Sequence, residues 1–216
     1  MLESIQSTIE THGGSDALVG TGNQVAAATG ARRAYGELDR DEVVVALRDL
    51  AKRVGVQRVT MRELAAELGA AVPSVYYHVP SKQAALELVA ESVLAEIPMP
   101  ESGSWETRLI ELYCTARETI LAVPGVASIL QTSSGNEPAR RLDRHSRSLL
   151  TEAGLTKVEA AAAHTVLYTY LLGSIALVET RSESATPRAR RQTIAHFRAG
   201  LDVIVAGVKS SAQANE

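Results

Sequence analysis

The segment 60–79, TMRELAAELGAAVPSVYYHV, constrains this chain more than any other. Thr60 with Glu63 three residues on is a capping-box pattern and predicts a helix start. Leu64, Ala65 and Leu68 give that helix an inner stripe, and Gly69 closes it nine residues after its cap. A second short helix fits Val72 to His78, because Val79-Pro80-Ser81 breaks the chain directly after it. Upstream, Asp39 and Glu42 predict another capped start. Val43, Leu47, Leu50 and Val54 follow at helical spacing, and Gly55 ends that helix. A fourth helix is expected over about 81–97.

Two short helices joined by a glycine-containing turn make a helix-turn-helix, a motif whose second helix enters the DNA major groove. The chemistry points the same way. Residues 48–82 carry six basic side chains (Arg48, Lys52, Arg53, Arg58, Arg62, Lys82) against three acidic ones (Asp49, Glu63, Glu67). That local excess can grip phosphates although the whole chain has a net charge of −3. The second helix has no charge of its own. Ser74, Tyr76 and Tyr77 offer hydroxyls to phosphates, and Val72 and Pro73 offer apolar contact to thymine methyls. As plain bundle helices the pair would be ordinary, but two adjacent tyrosines fit poorly in a core where aromatics are 4% of the chain.

Beyond this unit, the segment 98–104 (PMPESGS) marks a boundary, and helices are expected over about 105–123, 125–131, 137–153, 156–180 and 187–209. No period-two strand and no internal repeat is visible. The expected fold class is therefore all-α: an N-terminal three-helix helix-turn-helix domain and a C-terminal helical bundle. Hydrophobic residues at 45% and charged ones at 22% describe a soluble globular protein. Cys114 is the sole cysteine, which excludes an intramolecular disulfide and a multi-thiolate zinc site and suits the cytoplasm. The first residues carry neither a basic leader nor a continuous apolar run, so no secretory signal is expected. Residues 160–178 lack Asp, Glu, Lys and Arg and approach the ~20 residues of a membrane span. With His164, Gly173 and Ser174 among them, a buried bundle helix or a subunit-interface helix is the better reading, and no membrane partner is expected. Residues 1–36 read as a flexible Gly-rich extension, whose Arg32 and Arg33 are either a solvated tail or an arm for the minor groove.

The run from Thr60 to Leu86, T-M-R-E-L-A-A-E-L-G followed by V-P-S-V-Y-Y-H-V-P-S-K-Q-A-A-L, strongly resembles the DNA-binding domain of TetR-family transcriptional repressors. The resemblance covers about residues 38–97. A weaker one continues past Ser104-Trp105 and Leu171-Leu172-Gly173 into the family's regulatory domain, nearest the tetracycline-repressor branch. It implies an all-α homodimer that binds a palindromic double-stranded DNA operator and releases it when a small molecule enters the C-terminal domain. Carried over by position, Thr60 caps its helix at a phosphate and Arg62 reaches a base edge. Val72, Pro73 and Tyr76 face the groove; Ser74, Tyr77 and Lys82 hold the backbone; His78 packs within the domain. The positions that bind drug and magnesium in tetracycline repressors fall near Leu112, Ala116 and Leu130, and apolar side chains cannot ligate a hard cation. Glu179 has a counterpart, but one carboxylate is not a site. Neither metal nor cofactor is expected.

The expected organisation is an extension (1–36), a helix-turn-helix domain (37–97) and a ligand-binding and dimerisation domain (98–216). The broad apolar surface of 156–180 and 187–209 predicts a two-fold, four-helix interface. Candidate effector contacts are Leu112, Tyr113, Ala116, Arg117, His145, His164 and Tyr168, within an aliphatic lining suited to a hydrophobic small molecule with a neutral or anionic polar group. Arg117 has two equal readings, an anchor for an acidic ligand group or a side chain snorkelling to solvent. His145 and His164 read as core or pocket-edge histidines, since neither has a second ligand four residues on. Arg140, Arg141, Arg144 and Arg147 form a solvated face or attract an anion. No catalytic residue is assigned. Two rival readings stand beside this one: a helical enzyme using Cys114 as nucleophile, and a helical module that only mediates protein assembly.

Overall fold

Capping chemistry sets where the helices begin. At Thr60 the side-chain oxygen accepts the Glu63 N–H at 3.2 Å and its hydroxyl donates to the Glu63 carboxylate at 2.7 Å. Thr156 and Glu159 make the full reciprocal box, with Glu159 N–H donating to Thr156 Oγ1 at 3.3 Å and Thr156 N–H to the Glu159 carboxylate at 2.8 Å. Ser81, Ser104 and Asn136 each accept the N–H three residues on. Asp39 caps differently from expectation, its carboxylate taking the Asp41 N–H at 3.5 Å.

The computed structural model describes residues 38–132, 135–181 and 187–214, and among these there is no strand. The extension 1–36, with Arg32 and Arg33, lies outside the described residues. The helices are α1 (Arg40–Val54), α2 (Met61–Glu67), α3 (Val72–His78), α4 (Lys82–Ala95), α5 (Trp105–Leu121), α6 (Val126–Thr132), α7 (Glu137–Glu152), α8 (Lys157–Arg181) and α9 (Pro187–Gln213), with a 3-10 turn at Val56–Arg58. Between α2 and α3, Gly69 takes φ 60. Its N–H bonds Ala66 O at 3.2 Å while the Ala70 N–H bonds Ala65 O at 2.9 Å, a Schellman turn that sets the entry into α3.

The N-terminal core is formed by Val43, Leu47 and Leu50 of α1 with Val56, Leu64, Val75 and Val79, all buried. Truncating one of these, such as Leu47→Ala, is expected to cost about 2–5 kcal/mol. α4 packs on α1 within this unit and on α5, α6 and α7 of the bundle. It is the physical link between the two. In the bundle, Leu109, Ile120, Leu149, Leu150, Leu167, Ile175 and Leu201 form the buried centre.

α8 corrects one half of an expectation. Lys157–Thr180 is long and apolar enough to cross a membrane, yet most of it is not buried within this chain. Val166 and Leu177 on α8, and Ile194 and Val203 on α9, lie exposed. Leu172, by contrast, is 7% exposed and belongs to the chain's own core.

Candidate nucleic-acid interface and ligand cavity

α3 is seven residues long, so its sides are easily assigned. Val75 and the following Val79 point into the core, while Pro73, Tyr76 and Tyr77 face outward. Tyr77 is 75% exposed and Tyr76 is 45% exposed, so α3 turns two tyrosines outward. Val72 is half-buried, and Thr60, Arg62 and Lys82 are exposed beside α3. His78 is half-buried with its ring edge-on to Tyr77, the centroids 5.3 Å apart. Ser74 is the least exposed of the expected DNA contacts, at 7%. Lys82 donates from Nζ to Gln57 O at 2.9 Å, which fixes the start of α4 against the 3-10 turn. An Arg53–Glu67 ion pair ties α1 to α2.

The bundle holds a cavity of about 140 Å³. Leu94 and Ile97 enter it from the end of α4; Leu112, Tyr113, Ala116 and Ile120 from α5; Leu130 from α6. Asn136, Ala139, Leu142 and Asp143 come from α7 and its cap, and His164, Tyr168 and Leu171 from α8. Its walls are thus aliphatic, with the polar groups gathered mainly where α5, α7 and α8 meet. There, the Tyr113 hydroxyl lies 3.0 Å from Ser146 Oγ and 3.2 Å from His164 Nδ1, and Ser146 Oγ lies 3.1 Å from the same nitrogen. His164 Nε2 is 2.9 Å from Asp143 Oδ1, which also accepts from Arg147 Nε at 2.7 Å.

Burial dominates the titration of this cluster. It pushes the Tyr113 phenol well above the ordinary tyrosine range and holds the His164 imidazole below 6.5, against the pull of Asp143. His164 is therefore neutral at pH 7. With a carboxylate on Nε2, the proton sits on that nitrogen and Nδ1 is an acceptor. Tyr168 stacks on His164 at 6.2 Å and donates to Leu130 O at 3.2 Å.

Of the effector contacts expected from sequence, Leu112, Tyr113, Ala116, His164 and Tyr168 come together in this cavity. Arg117 and His145 do not. Arg117 is 3% exposed, so it does not snorkel, and it lines clefts beside α9 and not this cavity. Its Nε donates to Ser174 Oγ at 3.2 Å and its guanidinium lies 5.1 Å from the Phe197 ring centroid, between α8 and α9. One residue past Ala116, it is rotated by about 100° away from the cavity face of α5. His145 is half-buried outside the cavity, because Leu142 and Asp143 occupy the inward side of α7.

Sequence reasoning missed Asp143, Asn136 and Ser146, and also Leu94 on α4 and Ile97 just beyond it. A trace was present: Asp143 precedes Arg147 by four, the spacing of a helical ion pair. Most of the arginine run is a solvated face, with Arg140 and Arg144 both paired to Glu137. Arg141 instead donates to Ala95 O and Ile97 O at 3.3 and 3.4 Å, at the end of α4. Among the described residues no three His, Cys, Asp or Glu side chains are grouped to hold a metal.

All-helical described residues, with an exposed helix-turn-helix joined by one helix to a bundle that holds a cavity, have the arrangement of a helix-turn-helix DNA-binding regulator. The sequence model for "Bacterial regulatory proteins, tetR family" matches residues 43–89, and that for "Tetracyclin repressor-like, C-terminal domain" matches 97–195. The chain belongs to the TetR family of transcriptional regulators. It is 30% identical to an HTH-type transcriptional regulator of Saccharopolyspora erythraea over 75% of this chain and 70% of that one. It is 29% identical to the class A tetracycline repressor of Escherichia coli over 64% of this chain and 66% of that protein. Among solved structures, a TetR variant of Acinetobacter baumannii in complex with minocycline superposes with a TM-score of 0.71 at 27% identity, covering 82% of this chain and 99% of that one.

Proposed function

We propose that this chain acts as a homodimeric repressor, held on a palindromic operator and released from it by a hydrophobic small molecule bound in the α4–α8 cavity. The observation that carries this reading is the position of α4. It starts at Lys82 beside the reading helix and ends with Leu94 in the cavity wall and Ile97 just beyond. A ligand that prefers one placement of this helix must, by linkage, shift DNA affinity by the same factor that DNA shifts ligand affinity.

Within this reading, residues 37–97 form the DNA-binding domain and 98–216 the ligand-binding and dimerisation domain. Arg62 reads a base edge; Val72, Pro73 and Tyr76 face the groove; Thr60, Ser74, Tyr77 and Lys82 hold the backbone. The uncovered apolar faces of α8 and α9 meet their symmetry mates, which accounts for an exposed apolar helix without a membrane. The protein works in the cytoplasm and without catalysis. Burial pushes the Cys114 thiol up, away from the thiolate a nucleophile needs, which supports that reading over the enzyme rival. The test is selection of DNA fragments by the purified full chain, followed by a release screen against the recovered fragment with and without EDTA. Release that chelation abolishes, or no selected fragment at all, would overturn it.

A further inference from the structure

The polar end of the cavity is unusual in what it lacks. His164 Nδ1, Tyr113 Oη and Ser146 Oγ form a closed triangle with edges of 3.0 to 3.2 Å. The neutral imidazole has its proton on Nε2, toward Asp143, so Nδ1 accepts one hydroxyl proton. The other hydroxyl donates to the first. Both protons are thus spent inside the triangle, and the Tyr113 oxygen has a lone pair left for the cavity. Asp143 also offers an acceptor: its two partners, His164 and Arg147, both sit on Oδ1, leaving Oδ2. In this closed arrangement that end of the cavity presents acceptors. Of the other polar side chains on the lining, Tyr168 donates to Leu130 O, and Asn136 lies seven residues and about 10 Å up the α7 axis with its oxygen used on Ala139 N–H.

Charge narrows the ligand further. Asp143 is already paired with Arg147, so an ammonium group entering the cavity would compete with that guanidinium for the carboxylate. A carboxylate would face acceptors and an anion, which is worse. A neutral hydroxyl fits both conditions. Size narrows it again, since a dry cavity of about 150 Å³ holds a single benzene ring and this one is about 140 Å³.

Resting on the reading of this cavity as the effector site, we infer that the effector is a neutral hydroxyl compound about one ring in size, whose O–H donates to the Tyr113 oxygen. This narrows the neutral-or-anionic expectation, which rested on Arg117 together with His145 and His164, of which His164 lines the cavity. It also sets this chain apart from a relative bound to minocycline, a four-ring molecule.

The test titrates the full chain calorimetrically with para-ethylphenol, para-ethylanisole, para-ethylbenzoate and magnesium-minocycline. The phenol is expected to bind about 10-fold or more tightly than the anisole, the value of one hydrogen bond at a buried acceptor. Benzoate and minocycline should show no saturable heat. In Tyr113→Phe, checked for folding by its melting curve, the phenol-to-anisole ratio should fall to about 3-fold or less. Equal binding of phenol and anisole by the wild-type chain, tighter binding of benzoate or minocycline, or no binding of any probe overturns the inference. A parallel anisotropy measurement on the selected DNA fragment separates the two readings. Phenol binding with the stated ratio but no DNA release leaves the cavity chemistry standing and removes the effector role. Release by benzoate or minocycline alone keeps the effector role and removes this ligand class.

Discussion

The carboxylate of Glu179 on α8 accepts the backbone N–H of Gly125 at 2.8 Å. The adjoining Pro124 carbonyl accepts the Val56 N–H at 3.0 Å, and the neighbouring Gln57 carbonyl takes the Lys82 ammonium at 2.9 Å. Three hydrogen bonds therefore lead from the exposed apolar helix to the start of α4, through a loop outside the ligand cavity. The fit is close at Gly125, where φ is 87° and an added Cβ would stand 2.7 Å from Val56 Cγ2.

This bracket makes Gly125 and Glu179 sensitive positions. Gly125→Ala must adopt a left-handed backbone and push Val56 aside, and is expected to cost about 1–3 kcal/mol in urea unfolding. Glu179→Ala leaves a part-buried N–H without its acceptor, at a cost of about 1–2 kcal/mol. Unchanged midpoints for both would show that the loop is not fastened as described.

DNA contacts should divide by role. Arg62→Ala is expected to cost about 1–3 kcal/mol on the selected operator and to relax preference at one base pair. Lys82→Ala should weaken all sequences alike and reduce the salt slope by about one phosphate contact. Ser74→Ala removes a neutral hydroxyl and no charge, so it should leave the salt slope unchanged. Indistinguishable anisotropy profiles for Arg62→Ala and Lys82→Ala would remove the assignment.

Assembly should fail at exposed apolar positions and not at buried ones. Leu177 and Val203 are 57% and 73% exposed in the single chain, so Leu177→Glu and Val203→Glu should yield folded monomers in sedimentation. Leu172→Arg should instead unfold the chain, because it buries a charge in the chain's own core. A wild-type protein that sediments as a monomer at micromolar concentration would end the dimer reading and, with it, the palindrome.

Acid should destabilise the fold in a window set by His164. Its folded-state pKa lies below 6.5, so below that pH the unfolded chain binds the proton and the folded chain does not. Stability therefore falls as pH drops below 6.5, until the imidazole protonates in the folded state too. Glu106, held at about 2 by hydrogen bonds from Lys209 and Ser104, acts in a separate window below 4.5. His164→Asn should flatten the urea midpoint between pH 7.5 and 5.5 and leave the lower window alone. An unchanged slope in that range would place the titration elsewhere.

Much of the fold was legible because helix boundaries are local. Thr60 with Glu63, Ser81 with Ala84, and Gly69 with Ala65 and Ala66 act over no more than about five residues, so residue type and spacing are enough. The α3 limits, Val72 and His78, follow from the same chemistry. The apolar length of α8 was equally plain, but not whether its own chain would cover it.

The sequence by itself determined the helices, their order and the basic, tyrosine-bearing reading head. Which face of each bundle helix looks inward was decided only by the tertiary structure. Periodicity sets the angle between Ala116 and Arg117 on α5, but not how α5 is rotated against its neighbours. That rotation turned Arg117 toward Phe197 and left Tyr113 facing His164, a residue 51 positions away. The Asp143–His164–Tyr113–Ser146 cluster exists only because α5, α7 and α8 pack together. No spacing along one helix encodes a meeting of three.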